Sequence, residues 1–307
     1  MSAEQYIEKK FRAASVAQIT QASEIMAEYQ AAGYSLTLRQ LYYQFVSRGL
    51  FANSIKNYKN LGSLINDARL AGLLDWDEIE DRTRNLVMRS SWSCPSDLLK
   101  AAANQYHVDM WADQPCRVEV WIEKDALVGV IEGVCNKWDV PYFACRGYSS
   151  QSEQWRAGHR FSDYIDGGQE VILLHLGDHD PSGVDMTRDN LDRLNVFIGG
   201  NALSVDELEM FEVRRLALNM NQVEQYQPPP NPAKLTDTRC HDYIAKFGNE
   251  SWELDALDPM VIGQLIDDEI SSIVDHDLFN DRQRIEDAGK KQLFEIAGTL
   301  QGRGASP

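Results

Sequence analysis

Val171-Ile-Leu-Leu-His-Leu-Gly-Asp-His-Asp-Pro-Ser-Gly183 runs from near-continuous apolar residues straight into two acids, a proline and a glycine. An apolar run of this kind predicts a buried strand of a parallel sheet. In open α/β sheets the working residues lie just beyond the carboxyl ends of the strands. Asp178 and Asp180, spaced i and i+2, are therefore expected to project together from a strand end. Pro181 then falls in the first turn of the following helix, where its missing N–H costs nothing. Two carboxylates held this close repel each other unless a cation or a proton intervenes. Hard oxygen ligands with room for water suit Mg²⁺, with Mn²⁺ as the alternative metal. Asp is also a favoured N-cap, which leaves the plainer reading of Asp180 as a cap and Asp178 as a turn residue.

Upstream, Arg117-Val-Glu-Val-Trp-Ile-Glu-Lys124 alternates like a strand and ends at Glu123, before a helical pattern from about residue 126 to residue 138. A further strand is expected over 140–145, followed by a helix. The order is a strand ending in Glu, a crossover helix, a strand, a helix, and a strand ending in Asp-x-Asp. This arrangement resembles the Toprim domain of topoisomerases, primases and certain nucleases. The resemblance implies that Glu123, Asp178 and Asp180 coordinate Mg²⁺ during phosphodiester chemistry.

At 307 residues, 43% of them hydrophobic, the chain is long enough for one large or two ordinary domains. Its apolar runs are too short to span a bilayer, and residues 1–12 lack an apolar signal core, so a cytoplasmic protein away from membranes is expected. Five cysteines without a CxxC pair argue for reduced thiols and against a structural zinc site. The net charge of −17 is unevenly spread. Residues 1–100 carry 12 Lys+Arg against 11 Asp+Glu, and the remainder 18 against 36. Between Arg48 and Arg69 stand four basic residues and the single acid Asp67, a local face able to meet phosphates. The acidic remainder predicts weak, salt-sensitive non-specific binding, and also serves solubility. The expected fold is α/β in three parts. A helical, winged-helix-like domain occupies 1–110, a parallel-sheet domain 111–227, and a proline linker with an acidic, mainly helical extension 228–307.

Thr37-Leu-Arg-Gln40 is a capping box with Thr37 as N-cap and Gln40 at N3. The helix it opens carries Leu38, Leu41, Tyr42, Phe45 and Val46 on one apolar stripe. Tyr42 lies in the stripe, whereas Tyr43 falls off it with its hydroxyl expected free to meet a ligand. Arg39, four residues earlier on the same flank, is expected to favour the phenolate. A second helix bearing Leu61, Leu64, Ile65 and Ala68 completes a pair that suits a helix-turn-helix or winged-helix module.

Thr37-Leu-Arg-Gln-Leu-Tyr-Tyr43 resembles the Arg-x-x-aromatic-Tyr motif of the topoisomerase VI A subunit and its meiotic double-strand-break relative. Asp178-His-Asp180-Pro-Ser-Gly183 follows in the family's domain order. Tyr226-Gln-Pro, Leu235-Thr-Asp-Thr238 and Trp252-Glu-Leu-Asp-Ala-Leu257 resemble the A subunit's tail, so the resemblance spans most of residues 35–260. It implies that Tyr43, assisted by Arg39, attacks DNA to give a 5′-phosphotyrosyl link. It also implies a homodimer in which one protomer's tyrosine works with the other's acids. The chain carries no nucleotide-binding loop, so strand passage would need a separate ATPase subunit.

Two other readings share this fold: a hydrolytic Toprim nuclease in which water attacks, and a non-catalytic DNA-binding or adaptor protein. A metallophosphoesterase-like site around His175 and His159 lacks the further ligands it needs. His175 reads as a core histidine, and His179 as pointing away from the two acids. Ser149, Ser150 and Arg146 lie beyond another strand end. Lys124 reads as a solvated lysine, with contact to DNA as the alternative, and Trp252-Glu-Leu-Asp255 as a structural helix, with an added acid for the site as the alternative.

Overall fold

The computed structural model describes residues 4–79, 90–199, 210–233 and 237–303. The apolar run seen in the sequence is a strand, buried at every position but its first. It belongs to a parallel sheet of β1 (Cys116–Ile122), β2 (Tyr142–Ala144), β3 (Glu170–Leu176) and β4 (Phe211–Ala217), in the order β2-β1-β3-β4. β1 and β3 pair along their whole length, from Cys116 beside Glu170 to Ile122 beside Leu176. β2 meets β1 at residues 120–122 of the latter. The chain moves outward from β1 to β2, then returns to the far side of β1 to lay down β3. The strand order therefore reverses between β1 and β3, and the crevice at their carboxyl ends is where open α/β sheets bind ligands.

Side-chain alternation sorts the strands into two cores. Ile172, Leu174 and Leu176 face one side with Val118, Val120 and Ile122, under α5 (Val128–Lys137) and the Pro259–Ile273 helix. Val171 and Leu173 face the other, with Phe161 and Ile165 of α6 (Gln151–Asp166) and Leu194 and Ile198 of α7 (Pro181–Gly199). The sheet is covered on both faces, which is why its strands read as apolar runs.

The first third is helical: α1 (Ala13–Ala31), α2 (Leu38–Ser47), α3 (Ile55–Leu70) and α4 (Pro95–Gln105). Thr37 and Gln40 form the expected capping box, Gln40 N–H donating to Thr37 Oγ1 and Thr37 N–H to Gln40 Oε1 at 2.8 Å. Leu41 and Phe45 pack with Ile25 and Tyr29 of α1 and with Leu61 and Ile65 of α3. Among the described residues of this part there is no hairpin that would serve as a wing. The last helix, His276–Arg303, lies against α4, where Ser96 Oγ donates to Ala297 O at 2.8 Å.

A buried polar tie joins α1 to the chain beyond the sheet. Tyr29, fully buried, donates its hydroxyl to Asp258 Oδ2 at 2.6 Å. The same carboxylate N-caps the Pro259–Ile273 helix through Met260 N–H at 2.8 Å. Replacing Asp258 by Ala removes a cap and strands a buried hydroxyl. Thermal and denaturant unfolding should show a loss of about 2–3 kcal/mol; a loss below about 0.5 kcal/mol would mean that water replaces both bonds.

Candidate functional site

Glu123 follows β1 directly, and its N–H donates to Leu176 O at 2.8 Å, extending the β1–β3 ladder by one residue. That pairing aims its carboxylate at the turn after β3, where Oε2 accepts from Asp178 N–H at 2.8 Å. A Cβ on Gly177 would stand 3.0 Å from this oxygen, so a side chain there would crowd it. Asp178 Oδ1 accepts from Leu254 N–H at 2.8 Å and pairs with Lys124 Nζ at 2.9 Å. Asp180 Oδ1 accepts from Gly183 N–H at 2.7 Å and Ser182 Oγ at 2.8 Å, so it caps α7 as the plainer reading had it. Gly183 is required by the tightness of this turn, because a Cβ would lie 2.1 Å from Asp178 O.

Arg215 of β4 clamps the turn from below. Its Nη2 donates to Asp178 O at 2.7 Å and Gly177 O at 3.1 Å, and its Nη1 to Gly183 O at 2.8 Å. Burial lowers its pKa to about 10, which leaves it charged at neutral pH. A charged residue inside a strand was the sole sequence signal for this clamp.

Lys124 is not a solvated lysine. Its Nζ lies 2.8 Å from Asp255 Oδ1, 2.9 Å from Asp178 Oδ1 and 3.2 Å from Glu253 Oε2. Nor is Trp252-Glu-Leu-Asp255 part of a longer helix. The segment bridges back to His179, His179 N–H donating to Trp252 O at 2.8 Å, and then makes the short 3₁₀ turn Leu254–Ala256. This path delivers Glu253 and Asp255 to the cluster, two acids spaced i and i+2 like Asp178 and Asp180.

The same segment closes over α2. Arg39 pairs through Nε with Asp255 Oδ2 at 2.6 Å and through Nη2 with Glu253 Oε2. Tyr43 donates its hydroxyl to that Glu253 oxygen at 3.1 Å and is 5% exposed. The helix stripe alone left Tyr43 outward, but tertiary packing covers this second face. Burial, with Asp255 and Glu253 adding to it, raises the phenol to about 12 against the opposing pull of Arg39. Arg39 does favour the phenolate, as expected, but burial and the two acids outweigh it and the phenol is the favoured form.

The carboxylates respond differently to one environment. Burial raises Glu123 and Asp255, and raises Asp178 to about 6 despite Lys124. Burial acts against ionised Glu253 too, but Lys124 and Arg39 outweigh it and hold the group at about 2. Five acids (Glu123, Asp178, Asp180, Glu253, Asp255) face three cations (Arg39, Lys124, Arg215), leaving a deficit of positive charge. Carboxylate oxygens are the donor type that hard divalent cations take, and the resemblance assigned that role to Glu123, Asp178 and Asp180. Among the described residues no group of three or more His, Cys, Asp or Glu side chains is arranged to hold a metal ion. Lys124 pairs with Asp178 Oδ1 in this arrangement.

His175 is fully buried, with Nδ1 2.8 Å from Thr187 Oγ1, and burial lowers its pKa to about 3. His159 sits exposed on α6 against Trp155, so the two histidines share no site. His179 turns away from the acids to Tyr243, Nδ1 to Oη 2.8 Å. Ser150 caps α6 and Arg146 pairs with Asp125 at 3.1 Å. Leu235 and Thr236 of the tail motif lie outside the described residues. Compared with protein-family models, curated proteins and solved structures, the chain matches none of them.

Asp178 carries a pH signature. Its folded value near 6 lies above the ordinary 3.8. Between these values the folded state holds more protons than the unfolded, so the stability it contributes falls as pH rises through that window. Asp178→Asn, which keeps an acceptor for Leu254 N–H, should gain on the unsubstituted chain by ~1–2 kcal/mol between pH 4 and 7. Melting temperatures across that range check it. A relative gain by the unsubstituted chain would mean that Lys124 outweighs burial.

Proposed function

We propose that this protein cuts DNA by Mg²⁺-dependent tyrosine transesterification, as a topoisomerase VI A-like strand-breaking subunit with a winged-helix-type tyrosine domain and a Toprim domain. One observation carries the reading. Tyr43, Arg39 and Lys124 converge on Glu253, and Lys124 continues to Asp178, so the tyrosine of α2 and the acids at the sheet's switch point form one bonded cluster.

Tyr43 Oη forms the new bond to phosphorus and the P–O3′ bond breaks. Once Arg39 and Lys124 turn to the phosphate, Glu253 loses the charges that hold it at about 2 and takes the phenolic proton, and the departing 3′ oxygen takes a proton from water. Arg39 and Lys124, turning from their carboxylates to the phosphate, steady the charge that develops on its oxygens. A divalent ion bound by Glu123, Asp178 and Asp180 would supply Lewis-acid neutralisation of that phosphate. DNA is the substrate on this reading. A homodimer, a cytoplasmic location and a separate ATPase subunit for strand passage belong to the same proposal. Tyr43 meets the Glu253 of its own chain, so a partner's tyrosine would reach these acids only after that contact opens.

A second reading draws on a specific observation: the phenol, raised to about 12 and bound to a carboxylate, is a reluctant nucleophile. In it a metal-activated water attacks and Tyr43 packs. Supercoiled plasmid incubated with Mg²⁺ or Mn²⁺ at low salt, stopped with detergent and run with and without protease, separates the two. Protein-linked breaks lost in both Tyr43→Phe and Glu123→Ala are the expected result, with Glu253→Gln cutting roughly 10²-fold more slowly. Free-ended breaks that survive Tyr43→Phe but not Glu123→Ala would establish hydrolysis instead.

A further inference from the structure

Beside Tyr43 a cavity of about 280 Å³ opens between α2, the start of α3 and Asn231. Tyr42 and Tyr58 form an aromatic wall, their rings edge to face with centroids 5.4 Å apart. Ile55, first residue of α3, lines it as an apolar lip and is 77% exposed. Asn53 Nδ2 donates to Asn231 Oδ1 at a long 3.3 Å, which leaves donor and acceptor capacity on both amides. Arg39 contributes a guanidinium, and the acid in the lining, Glu253, is already neutralised by Arg39 and Lys124. Lys56 and Lys59, both exposed, follow on the helix that carries Ile55 and Tyr58.

A flat heteroaromatic ring bearing a phosphate satisfies every part of this lining. Aromatic and aliphatic walls take ring faces, amides take a polar ring edge, and the guanidinium takes the phosphate. A lipid tail or an apolar peptide would leave the spare hydrogen-bonding groups of the two amides without partners, at a desolvation cost. We propose that the cavity receives the nucleobase adjoining the attacked phosphate, unstacked from the helix or offered by a single strand, so that the base beside the cut is read here. The place of that base in a reaction rests on the DNA-cutting reading; the ligand chemistry does not.

The test uses the full chain in EDTA, where no strand is cut, with a short single strand carrying 2-aminopurine and a terminal dye. Dye anisotropy reports total binding, and 2-aminopurine emission reports stacking of the base. The unsubstituted protein should quench the emission. Ile55→Glu places an acid at an exposed first helical position that tolerates it, so the fold is kept. It should weaken the quenching interaction roughly tenfold, the scale of losing part of one buried aliphatic side-chain contact. Ile285→Glu, the same change at a half-exposed position of the last helix, should have no effect. With the reporter base replaced by an abasic site, Ile55→Glu and the unsubstituted chain should bind alike. Binding without quenching, equal affinity of Ile55→Glu and the unsubstituted chain for the 2-aminopurine strand, or a deficit that persists on the abasic strand would each overturn the proposal. Quenching with the expected variant pattern but no plasmid breakage would keep the nucleobase pocket and remove the cutting function.

Discussion

The ammonium of Lys124 holds the site together. Its three carboxylate partners come from two distant parts of the chain, Asp178 from the turn after β3 and Glu253 and Asp255 from the segment after Trp252. Lys124 itself directly follows Glu123 at the end of β1. One side chain thus ties the two central strands to the segment that covers α2. Removing one member of such a buried group leaves the others uncompensated, which typically costs ~3–5 kcal/mol. The cluster is therefore strong as a unit and intolerant of partial occupancy. Anything that draws Lys124 away must offer the carboxylates another cation in exchange.

Beneath this cluster lies a second, quieter constraint. Arg215 saturates backbone carbonyls of the turn that presents Asp178 and Asp180, and it does so from a half-buried position on the neighbouring strand. Its charge compensates acids that would otherwise repel each other across the crevice. The turn is shaped by hydrogen bonds from three sides: Glu123 on the Asp178 N–H, Leu254 N–H on the Asp178 carboxylate, and Arg215 on the carbonyls. Such support from surrounding groups is what fixes a first layer of functional side chains in place.

Local patterns were legible in the sequence where a single element determined the outcome. The run before Gly177 is β3, Glu123 sits at the end of β1, and Thr37 caps α2 with Gln40, because burial on both sheet faces and capping chemistry act within a few residues. Long-range contacts were not legible. Tyr43 looked outward because a helix stripe describes one face, while its second face is covered by a segment 210 residues away. Lys124 looked solvated because its three partners are visible only once β3 and the Trp252 segment are folded beside it. Glu253 and Asp255 shared the i, i+2 spacing of the first acid pair, a faint signal that default helix assignment obscured. Arg215 announced itself only as a charge within a strand.

Synthesis order gives the Tyr43–Glu253 contact a further consequence. The two residues are 210 positions apart. At translation rates of roughly 5–20 residues per second the tyrosine waits about 10–40 s for its carboxylate. During that interval α1, α2 and α3 can close their own core, since nearly all of it comes from residues 19–74. The flank of α2 carrying Arg39 and Tyr43 stays uncovered until Glu253 and Asp255 emerge. The cluster around Lys124 is then completed only once residue 255 has emerged, and a chain interrupted before that point cannot carry it.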